Sequence, residues 1–503
     1  MNTLSLASIF QHHMVLQREK PIKVWGEGPK GAIVTVTLDG ISASTVIHQN
    51  KWMCTLPPHP AARNLTMTVS TDIPGFPVHY INDISIGDIW IAAGQSNMEY
   101  FLRYDAHWEE MKRQPKNPDI HMYNVPQLCF DGQQKDISGS GYWFQEQDKA
   151  WELFSAPGYA FARSIQPHLD VPVAIIGCNW GGTPACAWIE ESYLENPPLD
   201  IFQKEYEAEV KDWDPFQLRK ETLAGFAYDD SQEHQEEWKS VMYGLTREEQ
   251  LLWLKEHSDA PAIPMGPLHK NRPSGLYHMM LEPLAPLAIK GVLWYQGESD
   301  SGHAEIYDTT MTALITCWRD LWEDDFPFLF VQLAPFDVWL DCTGENYPEV
   351  RRRQEMVSRQ VPKAYMTSIM DLGMRYDIHP KHKKEVGERL ALLARGCVYK
   401  EDILCLPPEF QNAEKSGSTI LLHIQHAGTG LSMLGESISA LTVTTEGDVL
   451  EPLSQTVSGA EIRLTFEEEI DSCKIEFANE NYVEVNVFNS AGLPLKPFIC
   501  EIK

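Results

Sequence analysis

The stretch that decides the fold runs from residue 87 to residue 99 and consists of Gly87-Asp-Ile-Trp-Ile-Ala-Ala-Gly-Gln-Ser-Asn-Met-Glu99. Its apolar part, residues 89–93, predicts a short buried strand, and Gly94 opens a polar turn directly after it. Ser96 is the first serine after that strand. An open α/β sheet places reacting groups at the carboxyl ends of its strands. Because such serines are also common helix N-caps, this stretch alone leaves two interpretations, a nucleophile or a cap.

Length and composition limit the class of protein. A chain of 503 residues predicts two or three domains. Its formal net charge of −30 argues against nucleic acid and anionic membranes as partners. The first ten residues lack the basic and apolar regions of a signal peptide, and no window approaches the apolar length of a membrane span. The ten cysteines form neither CxxC pairs nor zinc spacings, so with no export signal we expect reduced thiols in a cytoplasmic protein. We also expect no cofactor.

Strand and helix patterns divide the chain into three regions. Residues 1–85 alternate apolar and polar positions between Gly and Pro turns and predict a β-sandwich-like domain. Residues 86–401 alternate apolar strands with helices, which is typical of a three-layer α/β domain with a parallel sheet. Residues 402–503 return to short strands and predict a β-rich domain. The predicted strands of the α/β domain are 88–93, 173–177, 291–295, 328–333 and 365–370, and the predicted helices are 158–168, 307–322, 350–359 and 384–398.

Residues from about 195 to 265 interrupt the α/β alternation with charged helices. This helical insertion could serve as a lid over the main domain or as a contact in a homodimer. It could also be a solvated decoration, and its high charge favours that third interpretation.

Four polar stretches follow predicted strands of the α/β domain. They contain Ser96, the pair Gly181-Gly182, Gln296 with Glu298, and Asp377 with His379. Because strand ends of one sheet converge in space, we expect these groups to meet in one crevice. A serine, an imidazole, a carboxylate and several N–H donors are the components of nucleophilic acyl transfer.

Each of these residues has an assigned role and a structural alternative. Ser96 would be the nucleophile, His379 or His382 its base, and Asp377 the group that orients the imidazole. The N–H of Ser96, an N–H of the glycine pair and the Gln296 amide would bind the oxyanion. Alternatively, the histidines are surface residues and Asp377 caps a turn. Gln296 and Glu298 would then be buried polar groups that tie loops together.

At these residues the chain resembles the SGNH-hydrolase superfamily, specifically the sialate O-acetylesterase-like carbohydrate esterases. The matching segments are His13-Met-Val-Leu-Gln-Arg18, Gly94-Gln-Ser-Asn-Met98, Asn179-Trp-Gly-Gly-Thr183, Pro273-Ser-Gly-Leu-Tyr277, Ile289-Lys-Gly-Val-Leu-Trp-Tyr-Gln-Gly-Glu-Ser299 and Asp377-Ile-His-Pro380. The nucleophile elbow Gly-x-Ser-x-Gly of α/β-hydrolases is not present around Ser96.

The resemblance implies a flavodoxin-like SGNH-hydrolase core over residues 86–401 that removes O-acetyl groups from sugars without a metal. By position, it implies Ser96 as nucleophile, His379 rather than His382 as base, and Gly182 (or Gly181) with Gln296 in the oxyanion hole. Many superfamily members place Asp three residues before the histidine, whereas here Tyr376 holds that position and Asp377 is two before. Asp377, Glu298 or a backbone carbonyl therefore remain alternatives for the group that orients His379.

The expected substrate is an acetylated monosaccharide or oligosaccharide, either O-acetylated sialic acid or an acetylated xylo- or manno-oligosaccharide. Trp180 and Glu298 would contact the substrate, and Trp188, Trp294 and Tyr295 are further candidates for pocket walls. A sialic acid carboxylate would need a cation, for which the candidates are Arg103, Arg163, Arg272 and Arg375. The alternatives from other classes are an esterase of lipids or thioesters and a non-catalytic carbohydrate-binding protein.

Overall fold

A single long strand joins the amino-terminal β-region to the central sheet. The computed structural model describes residues 3–133, 139–229, 232–258 and 263–502. The strands of the amino-terminal region are β1 (Ser5–Leu6), β2 (Val15–Gln17), β3 (Ile22–Glu27), β4 (Ile33–Leu38), β5 (Ile41–Val46), β6 (Lys51–Leu56), β7 (Ala62–Thr71) and β8 (His79–Gly94). Strands β1, β3 and β6 form one antiparallel sheet, whereas β2, β4, β5 and β7 extend the sheet that contains β8. Alternating buried residues, among them Val34 and Val36, confirm the predicted β pattern.

Strand β8 crosses residue 85 without a break. Its first half pairs with β7 and β2, and its second half becomes the centre of the α/β sheet. Every residue from Ile84 to Gly94 is buried. The turn that carries Ser96 therefore follows a strand that pairs with neighbouring strands along most of its length.

The central sheet has helices on both faces. Its further strands are β9 (Ile120–Asn124), β10 (Trp143–Phe144), β11 (Val173–Asn179), β12 (Gly291–Tyr295), β13 (Phe328–Val331) and β16 (Ala364–Thr367), and a small hairpin consists of β14 (Val338–Trp339) and β15 (Cys342–Thr343). The order across the sheet is β10-β9-β11-β8-β12-β13-β16, with β10 the antiparallel edge. All five predicted strands are present, although β13 and β16 end at Val331 and Thr367, and β9 and β10 are additional strands.

The helices of this region are α1 (Ser96–Glu99), α2 (Trp108–Met111), α3 (Ala156–Leu169), α4 (Asp200–Val210), α5 (Pro215–Asp229), α6 (Gln232–Gly244), α7 (Arg247–Glu256), α8 (Tyr307–Trp322), α9 (Tyr347–Gln360) and α10 (Lys383–Cys397). Trp90 of β8 contacts Phe161 of α3, and Trp294 of β12 contacts Trp318 of α8. Because Trp294 pairs with Ala93, it lies on the opposite face from Trp90. Helices α3 and α8 thus cover opposite faces, which gives the predicted three layers. None of the described helices has the length and hydrophobicity needed to cross a membrane.

Register brings the ends of three strands to one level. Gly94 at the end of β8 pairs with Asn179 of β11 on one side and with Tyr295 of β12 on the other. Gly94 has a φ of +135°, and a Cβ there would lie 2.2 Å from the Tyr295 carbonyl oxygen. Only glycine fits this position, so the chain can turn sharply into α1 directly beside the neighbouring strand ends.

The carboxyl-terminal region is β-rich. Its strands are β17 (Glu409–Ser416), β18 (Thr419–Gln425), β19 (Ser432–Met433), β20 (Leu441–Thr445), β21 (Asp448–Val449), β22 (Ser454–Ser458), β23 (Glu461–Thr465), β24 (Cys473–Phe477), β25 (Val487–Phe488) and β26 (Phe498–Ile502). Two four-stranded antiparallel sheets enclose a separate apolar core. Just before β25, Asn486 Nδ2 donates to the loop carbonyls of Leu434 and Ser437.

Candidate active site

Ser96 begins helix α1, two residues after β8 ends. The N-cap of this short helix is Gln95, and the cap makes no side-chain hydrogen bond. The Ser96 Oγ atom instead lies 3.0 Å from Nε2 of His379. This contact distinguishes the two interpretations of the serine, because its hydroxyl faces an imidazole and does not cap a helix.

His379 lies in the loop between β16 and α10 and is only 4% exposed. The rings of Tyr243 and Trp339 pack against its imidazole edge to face, with ring centroids 5.0 and 5.2 Å away. Burial lowers the pKa of His379 below its usual value, although the Asp377 charge opposes this shift. A neutral imidazole at pH 7 can accept the Ser96 proton. His382, in contrast, is half exposed, and its Nδ1 lies 3.3 Å from Glu385.

Asp377 faces the other side of the imidazole without a direct hydrogen bond. Its Oδ1 atom is 3.6 Å from Nδ1 of His379, which is too long for a hydrogen bond. The same oxygen accepts the His379 backbone N–H at 2.8 Å, and Oδ2 lies 2.9 Å from Lys381 Nζ. Burial alone would raise the pKa of Asp377, but the neighbouring His379 and Lys381 lower it below its usual value. Asp377 is therefore an ionised group beside the imidazole.

Asn97 connects the turn that carries Ser96 (the serine turn) to the loop that carries His379 (the histidine loop). Its Nδ2 donates to the Ile378 carbonyl oxygen at 3.0 Å and to Oε1 of Glu298. Its Oδ1 accepts from the buried Lys383 at the start of α10. Burial raises the pKa of Glu298, and its second oxygen has no hydrogen-bond partner among the described residues. Asn97 was not among the site residues predicted from the sequence, although it directly follows the serine.

The two glycines after β11 have different environments. The Gly181 N–H donates to Oε2 of Glu99 at 2.6 Å. Gly182 has a left-handed φ of +71°, and its N–H takes part in none of the hydrogen bonds between described residues. Of the two candidates that the sequence left open, Gly182 is thus the one whose N–H is available to a ligand.

Glu99 fixes the turn that contains Gly181 and Gly182 through its hydrogen bond from the Gly181 N–H. It is fully buried, and besides the Gly181 N–H it binds Gln127 Nε2 at 3.1 Å and Lys239 of helix α6. Burial would raise its pKa, but the Lys239 charge and the hydrogen bonds lower it below the usual value. Glu99 was not among the site residues predicted from the sequence. The available signal was a carboxylate one helical turn after the serine, on the segment that meets the glycine pair.

The Gln296 amide is not brought to Ser96. Its Nε2 donates to the Thr183 carbonyl at 3.2 Å and to Asp300, and its Oε1 accepts from Tyr307 Oη at 3.0 Å. The side chain is fully buried and is absent from the cavity wall, which Glu298 does reach. In this geometry Gln296 ties loops together, as its structural alternative predicted, because its amide hydrogens already have acceptors.

A cavity of about 740 Å³ opens beside Ser96 and His379. Of the four aromatic residues predicted for its walls, only Trp180 lines it. Trp188, Trp294 and Tyr295 are at most 1% exposed and belong to the sheet core. Most of the remaining aromatic walls come from the insertion and from the β14 hairpin, and α9 adds one more; they are Phe226, Trp238, Tyr243, Trp253, Trp339 and Tyr347.

The helical insertion therefore covers the site. Lys239 of α6 forms an ion pair with the buried Glu99, and the Tyr243 carbonyl accepts from Lys381 at 2.8 Å. Val241, Met242 and Tyr243 are each 4% exposed. The interpretation of the insertion as a solvated decoration is wrong, because one face of α6 packs against the candidate catalytic residues.

Three comparisons with known proteins find similar proteins among carbohydrate esterases. A family model described as "Carbohydrate esterase, sialic acid-specific acetylesterase" matches residues 268–394. The sialate O-acetylesterases of Rattus norvegicus and Homo sapiens are both 26% identical and cover 78% of this chain, over 73% and 71% of their own lengths. A crystal structure of a carbohydrate acetylesterase from Xanthomonas citri has a TM-score of 0.76 at 24% identity and covers 99% of both chains.

The chain is similar to the sialate O-acetylesterase-like carbohydrate esterases. The resemblance predicted from the sequence is thus confirmed. The Xanthomonas structure also confirms a mixed α/β architecture shared over almost the whole chain.

The basic side chains that line the cavity beside Ser96 include two lysines. Lys239 and Lys270 line it, whereas Arg103, Arg163, Arg272 and Arg375 are not among its lining residues. Lys270 Nζ donates to the Gly181 carbonyl at 2.7 Å and lies over the Trp180 ring. Among the described residues, one cluster has the spacing of metal ligands, namely His107, His382 and Glu385, and it lies outside the cavity wall.

Proposed function

We propose that the protein is a serine esterase that removes O-acetyl groups from carbohydrates through an acetyl-enzyme intermediate. The observation that carries this proposal is the 3.0 Å contact between Ser96 Oγ and His379 Nε2. It lies at the carboxyl ends of the central strands, next to a large cavity. The family model and the curated relatives support a carboxylic ester hydrolase that acts on acetylated carbohydrates.

In the first step, the Ser96 oxygen attacks the acetyl carbonyl carbon while Nε2 of His379 accepts the hydroxyl proton. The carbonyl oxygen becomes an oxyanion, which the N–H groups of Ser96 and Gly182 would bind. When this intermediate collapses, the bond to the sugar oxygen breaks, and His379 returns the proton to that oxygen. The products are the free sugar hydroxyl and acetyl-Ser96.

In the second step, water attacks the acetyl carbon as His379 accepts one of its protons. Collapse restores the Ser96 hydroxyl and releases acetate. The imidazolium that forms in each step lies 3.6 Å from the Asp377 carboxylate, which stabilises its charge without a short hydrogen bond. We assign Asp377 this electrostatic role, and Asn97 the role of holding the histidine loop through the Ile378 carbonyl.

The three-layer core with its serine turn and histidine loop supports an SGNH-hydrolase core of flavodoxin-like type. Its oxyanion site differs from the one expected from the sequence, since we do not include Gln296. The side chain of that residue is buried and bound to Thr183 and Asp300.

The cavity supports a saccharide as the leaving group. Its volume of about 740 Å³ lies within the ~300–1,000 Å³ typical of pockets that enclose a small ligand. Aromatic side chains from the insertion line it, and such faces pack well against sugar rings. We therefore propose a free monosaccharide or short oligosaccharide as substrate.

Two sugars remain candidates within this class. Lys270 on the wall favours O-acetylated sialic acid, whose carboxylate needs a cation, whereas the charge of Lys239 is paired with Glu99. An acetylated xylo- or manno-oligosaccharide is the alternative, because the aromatic wall suits neutral rings equally well. Proposals from other classes, a lipid or thioester hydrolase and a non-catalytic sugar-binding protein, lack a comparable observation.

The test is acetate release from O-acetylated sialic acids and acetylated xylo-oligosaccharides, with wild type, Ser96→Ala and Ser301→Ala. Ser301 also lines the cavity and serves as the matched control. We expect Ser96→Ala to abolish release from every substrate and Ser301→Ala to retain it. Wild-type rates in Ser96→Ala would refute the mechanism, and binding without any acetate release would favour the non-catalytic alternative.

A further inference from the structure

Two histidines and a glutamate converge on the surface behind the histidine loop. His107 precedes helix α2, whereas His382 and Glu385 lie at the start of α10. Nε2 of His107 is 2.7 Å from Oε1 of Glu385, and Nδ1 of His382 is 3.3 Å from the same oxygen. All three ligand atoms lie within 4.8 Å of one another. The three side chains are accessible, with exposures of 29%, 49% and 28%.

A simple ion pair accounts for only part of this arrangement. One imidazole would satisfy one carboxylate oxygen, but here two imidazole nitrogens face Oε1 of Glu385. Its second oxygen, Oε2, is buried without a hydrogen-bond partner among the described residues. The other ring nitrogen of His107 lies 3.7 Å from Glu110. A carboxylate behind a ligating imidazole is a frequent feature of metal sites, because it fixes the ring and raises its basicity.

We propose that His107, His382 and Glu385 form a binding site for a zinc-class divalent cation. Two imidazoles and one carboxylate are a ligand set that Zn²⁺ accepts, with water completing its coordination. Because His382 is the N-cap residue of α10 and His107 is the N-cap residue of α2, one ion would join two separate parts of the chain. The site does not line the cavity, so the ion has no part in the ester chemistry proposed above.

Existing contacts show what the ion would reinforce. Asp105 accepts the backbone N–H groups of Lys383 and Lys384, and the Ala106 N–H donates to the Lys381 carbonyl. These bonds attach the segment before α2 to the first turn of α10, directly after the loop that carries His379. Metal binding would thus stabilise the folded chain at this junction.

The experiment uses the full chain, first freed of metal with a chelator and then titrated with Zn²⁺ in a calorimeter. We expect one Zn²⁺ to bind per chain. The melting temperature should rise over the same range of Zn²⁺ concentration in which the calorimeter detects binding. His107→Ala and His382→Ala should each weaken the affinity at least about tenfold. His423→Ala is the matched control, since that histidine also faces two glutamates, Glu414 and Glu461, but has no second imidazole.

Cobalt provides an independent readout, because Co²⁺ bound through imidazole nitrogen absorbs visible light. We expect this absorption in wild type and in His423→Ala but not in the His107→Ala/His382→Ala double variant. The proposal is overturned if wild type shows no saturable binding, or if the double variant binds Zn²⁺ as tightly as wild type. Esterase activity of the metal-free chain should be retained, and this result is independent of the binding result.

Discussion

Replacing Glu99 with glutamine tests whether the glycine turn beside Ser96 depends on a buried charge. The Glu99 carboxylate accepts the Gly181 N–H at 2.6 Å and forms an ion pair with Lys239. Glu99→Gln has nearly the same shape, but it removes the negative charge and offers Gly181 only a neutral acceptor. The next residue, Gly182, carries the N–H that we assign to the oxyanion. The substitution should therefore slow the chemical step without touching Ser96 or His379.

The size of the effect follows from the bonds that change. A hydrogen bond to a charged group contributes about 1.5–3 kcal/mol. Loss of one complete oxyanion donor costs ~2.7–4 kcal/mol, and this sets the upper limit. We expect a loss of about 2–3 kcal/mol of transition-state stabilisation, which corresponds to a ~30- to 150-fold lower kcat/KM.

The assay is steady-state hydrolysis of p-nitrophenyl acetate, whose small leaving group makes little use of the sugar cavity. The loss should appear in kcat, because the oxyanion forms only during the reaction. Glu146→Gln is the matched control, since Glu146 is also a buried carboxylate, and its partner is Arg163 at 3.3 Å. Both variants should lose stability, but only Glu99→Gln should lose kcat. A kcat/KM within twofold of wild type, or an equal loss in both variants, would refute this reasoning.

Three further outcomes are expected. The pH profile of kcat/KM should fall on the acid side at a pH below the usual histidine pKa, since burial lowers the pKa of His379. Asp377→Asn should move this acidic limb to still lower pH, because the Asp377 charge raises the pKa of His379. Because Asp377 Oδ1 lies 3.6 Å from Nδ1 of His379 and makes no short hydrogen bond to it, Asp377→Asn should also lower kcat by less than the ~10⁴-fold that is lost in a directly bonded triad. Trp238→Ala should raise KM for acetylated saccharides about tenfold and leave KM for p-nitrophenyl acetate unchanged. Trp213→Ala is the control and should change neither value, since both tryptophans are 38% exposed but only Trp238 lines the large cavity. Gln296→Ala should lower the free energy of unfolding by about 1–3 kcal/mol in urea titrations, and a selective loss of kcat without loss of stability would instead place its amide in the oxyanion site.

Much of the fold could be predicted because the central strands are continuous apolar runs. Residues 173–177 and 291–295 are buried throughout, and their composition is unlike that of the surrounding helices. Their strand ends meet because parallel strands share one carboxyl edge, so Ser96 and His379 could be placed together although 283 positions separate them. Strand β9 was missed because Ile120–Asn124 includes His121 and Asn124, which weaken the apolar pattern.

The remainder depends on side-chain direction, which sequence patterns do not encode. Gln296 follows a buried strand, as an oxyanion donor would, yet its amide turns toward Thr183 and Asp300. The role of the insertion depends on one face of α6, where Lys239 and Tyr243 meet partners that are distant in the sequence. A charged helix with few apolar positions has the composition of a surface element, and only its tertiary contacts identify it as the cavity wall.

The central claim is that Ser96 carries the acetyl group during turnover. The most direct measurement is rapid acid quench of wild type during p-nitrophenyl acetate hydrolysis, followed by peptide mapping in a mass spectrometer. We predict one acetyl group on the peptide that contains Ser96, and none on that peptide in Ser96→Ala. An acetyl group on a different residue, or wild-type turnover by Ser96→Ala, would contradict the mechanism.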